Sequence, residues 1–387
     1  MKKILTLLFL SFTVIGIAQD KSAVTLSTNS IPPGYYNTAT GTGYTLKTQL
    51  FNIIKDHNDR GYAGLWTTYE TSDRDHQYEN DDTLIDLYSE NPTGADPYNF
   101  VINTNQCGSY SAEGGCYNRE HVIPQSYFGN GVQPMYSDAH SVLPTDGKVN
   151  GWRDDHPYGV VAATTNPCNA GATNTPCATQ NGSKLGNNVN SGYSAGYSSK
   201  VFEPLDAFKG DIARVIFYFA TRYEDQLVGF FTTTSSEAKV IFDGTSGHTF
   251  SQTFLNILLT WNTQDPVSAR EIERNDAIYA RQGNRNPFID HPEWATTIWG
   301  LPLAVSDFDS LATVSIYPNP SRDVVNISTG IALDQIDIIT INGQVLQQIK
   351  NPTFENNNYT ISNLPKGFYF VKLSSATNSV TKKVLIN

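Results

Sequence analysis

Tyr117-Asn118-Arg119-Glu120-His121-Val122-Ile123-Pro124, followed by Asp138-Ala139-His140 and then by Val149-Asn150-Gly151-Trp152-Arg153, forms the densest polar constellation in the chain. An unperturbed imidazole titrates at about 6.5, so a neutral His121 ring can take a proton from water at ordinary pH. Successive side chains on a strand point to opposite faces, so Glu120 and His121 can serve one site only at a strand end or bend. Glu and Asn side chains offer hard oxygen ligands, which suit magnesium or calcium ions that keep several waters. Hydrolysis of a phosphodiester needs those parts: an activated water, a cation beside the phosphate and a donor for the leaving oxygen. A Glu-His dipeptide alone says little, since most are solvated or hydrogen-bonded inside a core.

Taken with their neighbours, these motifs resemble the periplasmic and secreted endonuclease I family, which includes extracellular bacterial ribonucleases. The resemblance rests on Arg119 to Pro124, Asp138-Ala139-His140 with Leu143-Pro144, and Val149-Asn150-Gly151 with Arg153. It continues in order through Gly210-Asp211-Ile212-Ala213-Arg214, Trp261-Asn262 with Asp265-Pro266-Val267, and Gln282-Gly283-Asn284-Arg285-Asn286-Pro287-Phe288, so that it spans roughly residues 45 to 294. It implies an α+β fold, mainly helical around a ββα-metal motif. By the same resemblance His121 is the general base, and Glu120 and Asn150 hold a single magnesium (Mg) ion, with calcium (Ca) the alternative. Cleavage of this kind leaves a 5′-phosphate, on DNA, RNA or both and without sequence preference.

One departure stands out. Family members carry a phosphate-binding arginine after the catalytic histidine, yet residues 122 to 137 contain neither Lys nor Arg. The phosphate contact is therefore expected from Arg153, at a helical i+3 from Asn150, with Arg119 beside it. The competing reading makes Arg153 a surface residue paired with Asp154 or Asp155. Asp138 and His140 are expected to orient the site through hydrogen bonds rather than act directly. His156 and His291 read as loop residues. The Gln282 to Phe288 segment is expected to close one wall of the cleft through Phe288, with its Asn and Arg side chains in reach of substrate.

Outward from these motifs, Leu46, Leu50, Ile53 and Ile54 recur at helical spacing within 45–56. Residues 57–105 read as irregular structure with short strands, one alternating piece being Thr83 to Tyr88. Helices are expected over 206–223, 252–261 and 267–282, the last stopped by Gly283 and Pro287. Its arginines, Arg270, Arg274 and Arg281 with Arg285, could line one face, but interspersed acids favour a solvated, salt-bridged surface. A Gly/Asn/Ser/Thr-rich tract, about 163–199, reads as a long surface loop.

The cysteines fall in two pairs, Cys107 with Cys116 and Cys168 with Cys177, each nine positions apart. Three pairings are open to four cysteines; two local staples are expected. Zinc ligands usually come two to four residues apart, so a four-thiolate zinc site fits poorly.

The chain has 387 residues and a formal charge of −11, which predicts two folded units and excludes a protein that coats nucleic acid through bulk positive charge. It does not exclude an enzyme that meets phosphate through one ion and a few arginines. Met1-Lys2-Lys3, the apolar run Ile4 to Ile17 and a small-residue exit have the layout of a signal peptide over 1–18. The mature chain is then expected to be secreted, extracellular by way of the periplasm, monomeric and without stable membrane insertion, with retention at the cell surface open. The expected domains are a nuclease unit over 19–303, a linker over 304–312 and a small antiparallel β-sandwich over 313–387. The last shows short alternating runs at 324–328, 336–341, 345–349 and 368–373 between turns such as Asn342-Gly343. Its Tyr317-Pro318-Asn319-Pro320 and Leu364-Pro365-Lys366-Gly367-Phe368-Tyr369 stretches resemble the C-terminal sorting domain of type IX secretion, which implies a partner in that machinery. The rival from another class is a non-catalytic exported binding protein.

Overall fold

The computed structural model describes residues 31–163, 166–168, 176–231, 237–300, 314–329, 333–354, 358–375 and 378–387. The expected signal peptide and linker lie outside them. The chain divides into two units, Met1–Trp299 and Gly300–Asn387.

In the first unit, helix α1 (Gly43–Ile54) buries Leu46, Leu50 and Ile54, as the spacing predicts. Helix α2 (Gly61–Ser72) was not legible: it stands where irregular structure was expected. Its inner face mixes Leu65 and Tyr69 with buried Thr68 and Ser72, and this blurs the apolar period. The two hydroxyls return their hydrogen bonds to helix carbonyls one turn back, which makes their burial tolerable. The alternation expected at Thr83 to Tyr88 is also absent: Leu84 through Glu90 are all buried, and only Leu84 makes a β-bridge, to Arg74.

Strand β1 (Tyr117–His121) pairs antiparallel with β2 (Val142–Asp146), setting Glu120 opposite Leu143 and His121 opposite Val142. Helix α3 (Gly147–Arg153) starts without a gap, because the Asp146 carboxylate accepts the Lys148 and Val149 amides as an N-cap. The chain thus runs strand, strand, helix through the motif region. Cys107–Cys116 and Cys168–Cys177 are both disulfide-bonded, as expected.

The tract expected as a surface loop instead supplies short strands β3 (Asn166–Pro167), β4 (Cys177–Ala178) and β5 (Lys184–Asn187), which join β6 (Lys200–Glu203) in a four-stranded sheet. Buried Leu185, Val201 and Phe202 pull it against the core.

Helix α4 (Lys209–Arg222) is buried along its whole length, so its charges need internal partners. Arg214 bonds Glu271 through both nitrogen–oxygen pairs, at 2.6 and 2.8 Å, and Asp211 pairs with Arg270. Short helices α5 (Leu227–Phe231) and α6 (Ala238–Ile241) lead to α7 (Gln252–Gln264), α8 (Ala269–Gln282), α9 (Pro287–Asp290) and α10 (Glu293–Trp299). Helix α8 opens with a Ser268/Glu271 capping box and ends at Gly283, φ 82°, where the sequence predicted its stop. Its arginines correct the expectation of a solvated face: Arg270 and Arg274 are buried ion-pair partners of Asp211 and Asp73. Arg285 lies past the helix end, on Asp276 and Asp290. The segment after Gly283 also differs from expectation. Phe288 packs against Phe217 and Trp299 in the core, and Asn284, Arg285 and Asn286 are buried, so this segment holds the interior together.

The second unit holds strands β7 (Ser315–Tyr317), β8 (Val325–Ser328), β9 (Gln335–Thr340), β10 (Val345–Lys350), β11 (Asn358–Ile361), β12 (Gly367–Ser375) and β13 (Asn378–Ile386). They form two antiparallel sheets, ordered β11-β8-β7 and β10-β9-β12-β13. One apolar cluster, including Val325, Ile327, Ile336, Ile338, Val371 and Leu373, draws on both.

Candidate active site

Glu120 and His121 are the last two residues of β1, so the chain turns as they leave the strand and the alternation rule does not separate them. Both line a cleft of about 390 Å³, together with Asn118, Arg119, Asn150 and Arg153. Tyr62 and Tyr110 form part of its rim, and Asp154 and Asp155 also border it.

His121 is only 7% exposed. Its Nε2 lies 3.1 Å from the Tyr136 carbonyl, which can only accept, so Nε2–H donates and the neutral ring carries its lone pair on Nδ1. Nδ1 has no hydrogen-bond partner among the described residues. The ring is held near parallel to Tyr136 and Tyr62, at centroid distances of 5.1 and 5.9 Å. Burial pulls its pKa down to about 4, with the Tyr136 bond opposing and the Arg153 and Arg119 charges reinforcing. The imidazole is therefore an unprotonated base across the ordinary pH range.

Glu120 is sunk behind it. Its Oε1 accepts from the Tyr88 hydroxyl at 2.9 Å and lies 2.8 Å from Arg153 Nη1, with the Tyr158 hydroxyl at 3.5 Å. Burial raises the carboxyl pKa above its ordinary value, while Arg153 and the tyrosines work against that rise. These donors crowd one oxygen and leave Oε2 without a hydrogen bond among the described residues. On α3, Asn150 Nδ2 donates to Asn118 Oδ1 at 2.8 Å, which fixes the amide so that Asn150 Oδ1 is the atom left to accept. A side chain at Gly151 would collide with the Tyr110 hydroxyl, so the tyrosine can lie close over α3 only because that position is glycine. Glu120 and Asn150 thus bring two hard oxygens to one cleft with room for water, a donor set that fits a hydrated magnesium or calcium ion.

The other expected site residues fall differently. Arg153 is 1% exposed, and its guanidinium donates to the carbonyls of His121 and Val122 at 2.8 and 2.7 Å as well as meeting Glu120. It is neither a surface residue nor paired with Asp154 or Asp155. Arg119 stays half-buried at the cleft, stacked 3.4 Å from the Tyr62 ring centre and 4.2 Å from that of Trp66, with Nη1 donating to the Tyr62 carbonyl. Asp138 and His140 do not line the cleft. Asp138 accepts from Tyr218, Tyr223 and Gln282, and His140 Nε2 donates to the Asn284 carbonyl, so the pair ties the 122–141 connection to α4, α8 and the turn after it. Burial opposes the Asp138 charge, but His57, His140 and the Gln282 bond outweigh it and hold the carboxyl down at about 2.

Tyr88, Tyr158, Tyr136, Tyr62 and Asn118 also build the site, beyond the residues that the motifs single out. Asn118 stood inside the quoted motif and was recoverable. The tyrosines come from separate segments with no spacing signal among 21 such residues.

Set beside known families, the chain is a nuclease, a phosphodiester hydrolase. Residues 42–293 match the family model described as Endonuclease I, so the chain belongs to the endonuclease I family, and residues 315–387 match a secretion system C-terminal sorting domain. An extracellular ribonuclease of Bacillus subtilis (strain 168) is 34% identical over 272 residues, covering 68% of this chain and 78% of that protein. An extracellular ribonuclease of Bacillus amyloliquefaciens is 32% identical over 290 residues, 73% of this chain and 83% of the relative. Endonuclease-1 of Buchnera aphidicola subsp. Baizongia pistaciae is 25% identical over 187 residues, 44% of this chain and 60% of its own.

Proposed function

We propose that this nuclease is a secreted, metal-dependent and sequence-nonspecific endonuclease in which His121 is the general base and Glu120 and Asn150 hold one Mg ion, Ca being the alternative. The observation that carries this reading is the convergence of an open imidazole lone pair and two uncommitted oxygens, from Glu120 and Asn150, on one cleft. An ion held by Glu120 and Asn150 would supply positive charge to offset the negative charge developing on the phosphate. His121 Nδ1 takes a proton from the attacking water, and the Tyr136 carbonyl steadies the charged ring that results. Arg119 is positioned to meet phosphate. Arg153 acts through Glu120, holding its carboxylate and the end of β1 in place. Breaking the bond to the 3′ oxygen leaves a 5′-phosphate.

The strand-strand-helix unit is read as the ββα-metal motif, and the two C-terminal sheets as a β-sandwich that addresses a monomeric protein to type IX secretion. We place the domains at 1–18, 19–303, 304–312 and 313–387. No helix among the described residues is long and apolar enough to cross a membrane. RNA as the main substrate is the second reading, favoured by the names of the two Bacillus relatives.

Purified protein assayed on plasmid and RNA tests all of this. Activity is expected with Mg, none with EDTA, and a rate lowered roughly 10²- to 10⁴-fold in His121→Ala, while that variant still binds nucleic acid. Undiminished cleavage under both interventions would overturn the mechanism by a bound metal and His121.

A further inference from the structure

Away from the cleft, Glu79, Glu90 and Asp96 bring one carboxylate oxygen each within 4.8 Å of one another. Acids this close repel, and surface clusters often simply tolerate that. Glu90 is a different matter. It is 1% exposed, its Oε1 is buried without a hydrogen-bond partner, and the group its side chain meets is another acid, Glu79. A buried carboxylate with neither a donor nor a counter-charge is one of the costliest groups a fold can keep. Lys184, the cation that shares a cleft of about 550 Å³ with Glu90, is paired with Glu203 instead.

We propose that Glu79, Glu90 and Asp96 bind a divalent cation, calcium by preference, at a site separate from the catalytic one. Calcium takes six to eight oxygens, many from carboxylates, in flexible geometry, whereas magnesium is reluctant to shed water for an all-protein cage. Without an ion, burial and the charges of Asp96, Glu79 and Asp75 push the Glu90 carboxyl up to about 9, and burial with Glu79, Asp81 and Asp75 raises Asp96 to about 6, the Asn91 amide opposing. Binding therefore displaces protons.

The site has a structural consequence. Glu90 ends the buried run that carries Asp86 and Tyr88. Tyr88 donates to Glu120, and Asp86 accepts the Asp146 amide at the start of α3. An ion gripping Glu79, Glu90 and Asp96 would clamp the segment that seats the catalytic carboxylate.

Calorimetric titration of the full protein with CaCl₂, beside melting curves, tests this. An Asn150→Ala background weakens binding at the catalytic cleft and keeps the two sites distinct. Calcium is expected to bind that background at one site per chain, raise its melting temperature by several degrees, and release protons on binding at pH 7. Adding Glu90→Gln should raise the calcium-free melting temperature, because the fold no longer has to take up a proton on a buried carboxyl, and abolish the calcium-dependent rise. Asp96→Asn should weaken binding at least tenfold and covers the case of a misfolded Glu90 variant. No calcium binding in the Asn150→Ala protein, or an unchanged calcium response in both acidic-site variants, would overturn the proposal.

Discussion

His121 and His140 are near twins by local measure. Each is buried, each donates Nε2–H to a backbone carbonyl at 3.1 or 3.0 Å, and burial pulls each pKa down to about 4. They differ in what their other nitrogen meets. His121 lines an open cleft beside Glu120 and Asn150, whereas His140 Nδ1 is sealed in the interior against Tyr218. A depressed pKa marks burial in both places, and access to water and to oxygen donors is what makes one of them a candidate base.

The largest test of that contrast is the pair of alanine variants. His121→Ala is expected to lower the rate roughly 10²- to 10⁴-fold, as loss of a general base does, with little change in melting temperature. His140→Ala should do the reverse, destabilising by about 2–4 kcal/mol through a cavity and a broken buried bond while the folded molecules keep their turnover. Denaturant titration beside steady-state kinetics separates the two. If His140→Ala lost turnover at full stability, the division between cleft and interior would be wrong.

Next comes Tyr88→Phe. Removing one donor from Glu120 should weaken metal affinity about 10- to 100-fold and leave the maximal rate nearly intact at saturating Mg. A titration of activity against metal concentration checks it, and a fall in maximal rate alone would break the link between the tyrosine and the ion.

The interior pair also predicts an acid response. A histidine whose folded pKa lies below its unfolded value contributes stability that is full above about pH 6.5 and is lost as the pH falls toward 4. Asp138, held at about 2, adds a second loss below about pH 4. These two groups thus each take a share of stability away on acidification, His121 adding to the first share while raised carboxyls such as Glu90 and Asp96 work against it. Compared with the parent, His140→Gln should lose less stability between about pH 6.5 and 4, and an unaltered difference between those two pH values would count against His140 as a source. The smallest effect belongs to Arg119→Ala, which should weaken nucleic-acid binding alike for all sequences and reduce the salt slope by about one charge.

How much of this was legible varied with the kind of signal. Helices α1, α4 and α7 follow from their apolar residues, and the end of the polar α8 from Gly283, because a helix packed on a core writes its period into the chain and a left-handed glycine stops it. Helix α2 escaped because Thr68 and Ser72 sit on its buried side, satisfied by helix carbonyls that no linear pattern reveals. In the C-terminal unit, β8 and β12 bury alternate residues as their runs predict, β9 and β10 do not, and β7 spans only three residues. Arg153 is the clearest failure of linear reasoning at the site. Its spacing from Asn150 pointed to a phosphate ligand, yet neighbours from β1 and the Tyr158 loop enclose it and claim its donors.

From residue order alone came the family motifs, the local cysteine pairs, the two-unit division and the identity of the groups able to do the chemistry, since all of these are properties of types and short spacings. Only tertiary structure decided which nitrogen of His121 is free, which oxygen of Glu120 is taken, and that Asp138 and His140 bind the interior rather than the cleft. Those are choices of direction and access, and they depend on partners such as Tyr88, Tyr136 and Tyr218 that lie far away along the chain and meet the site only when the core closes.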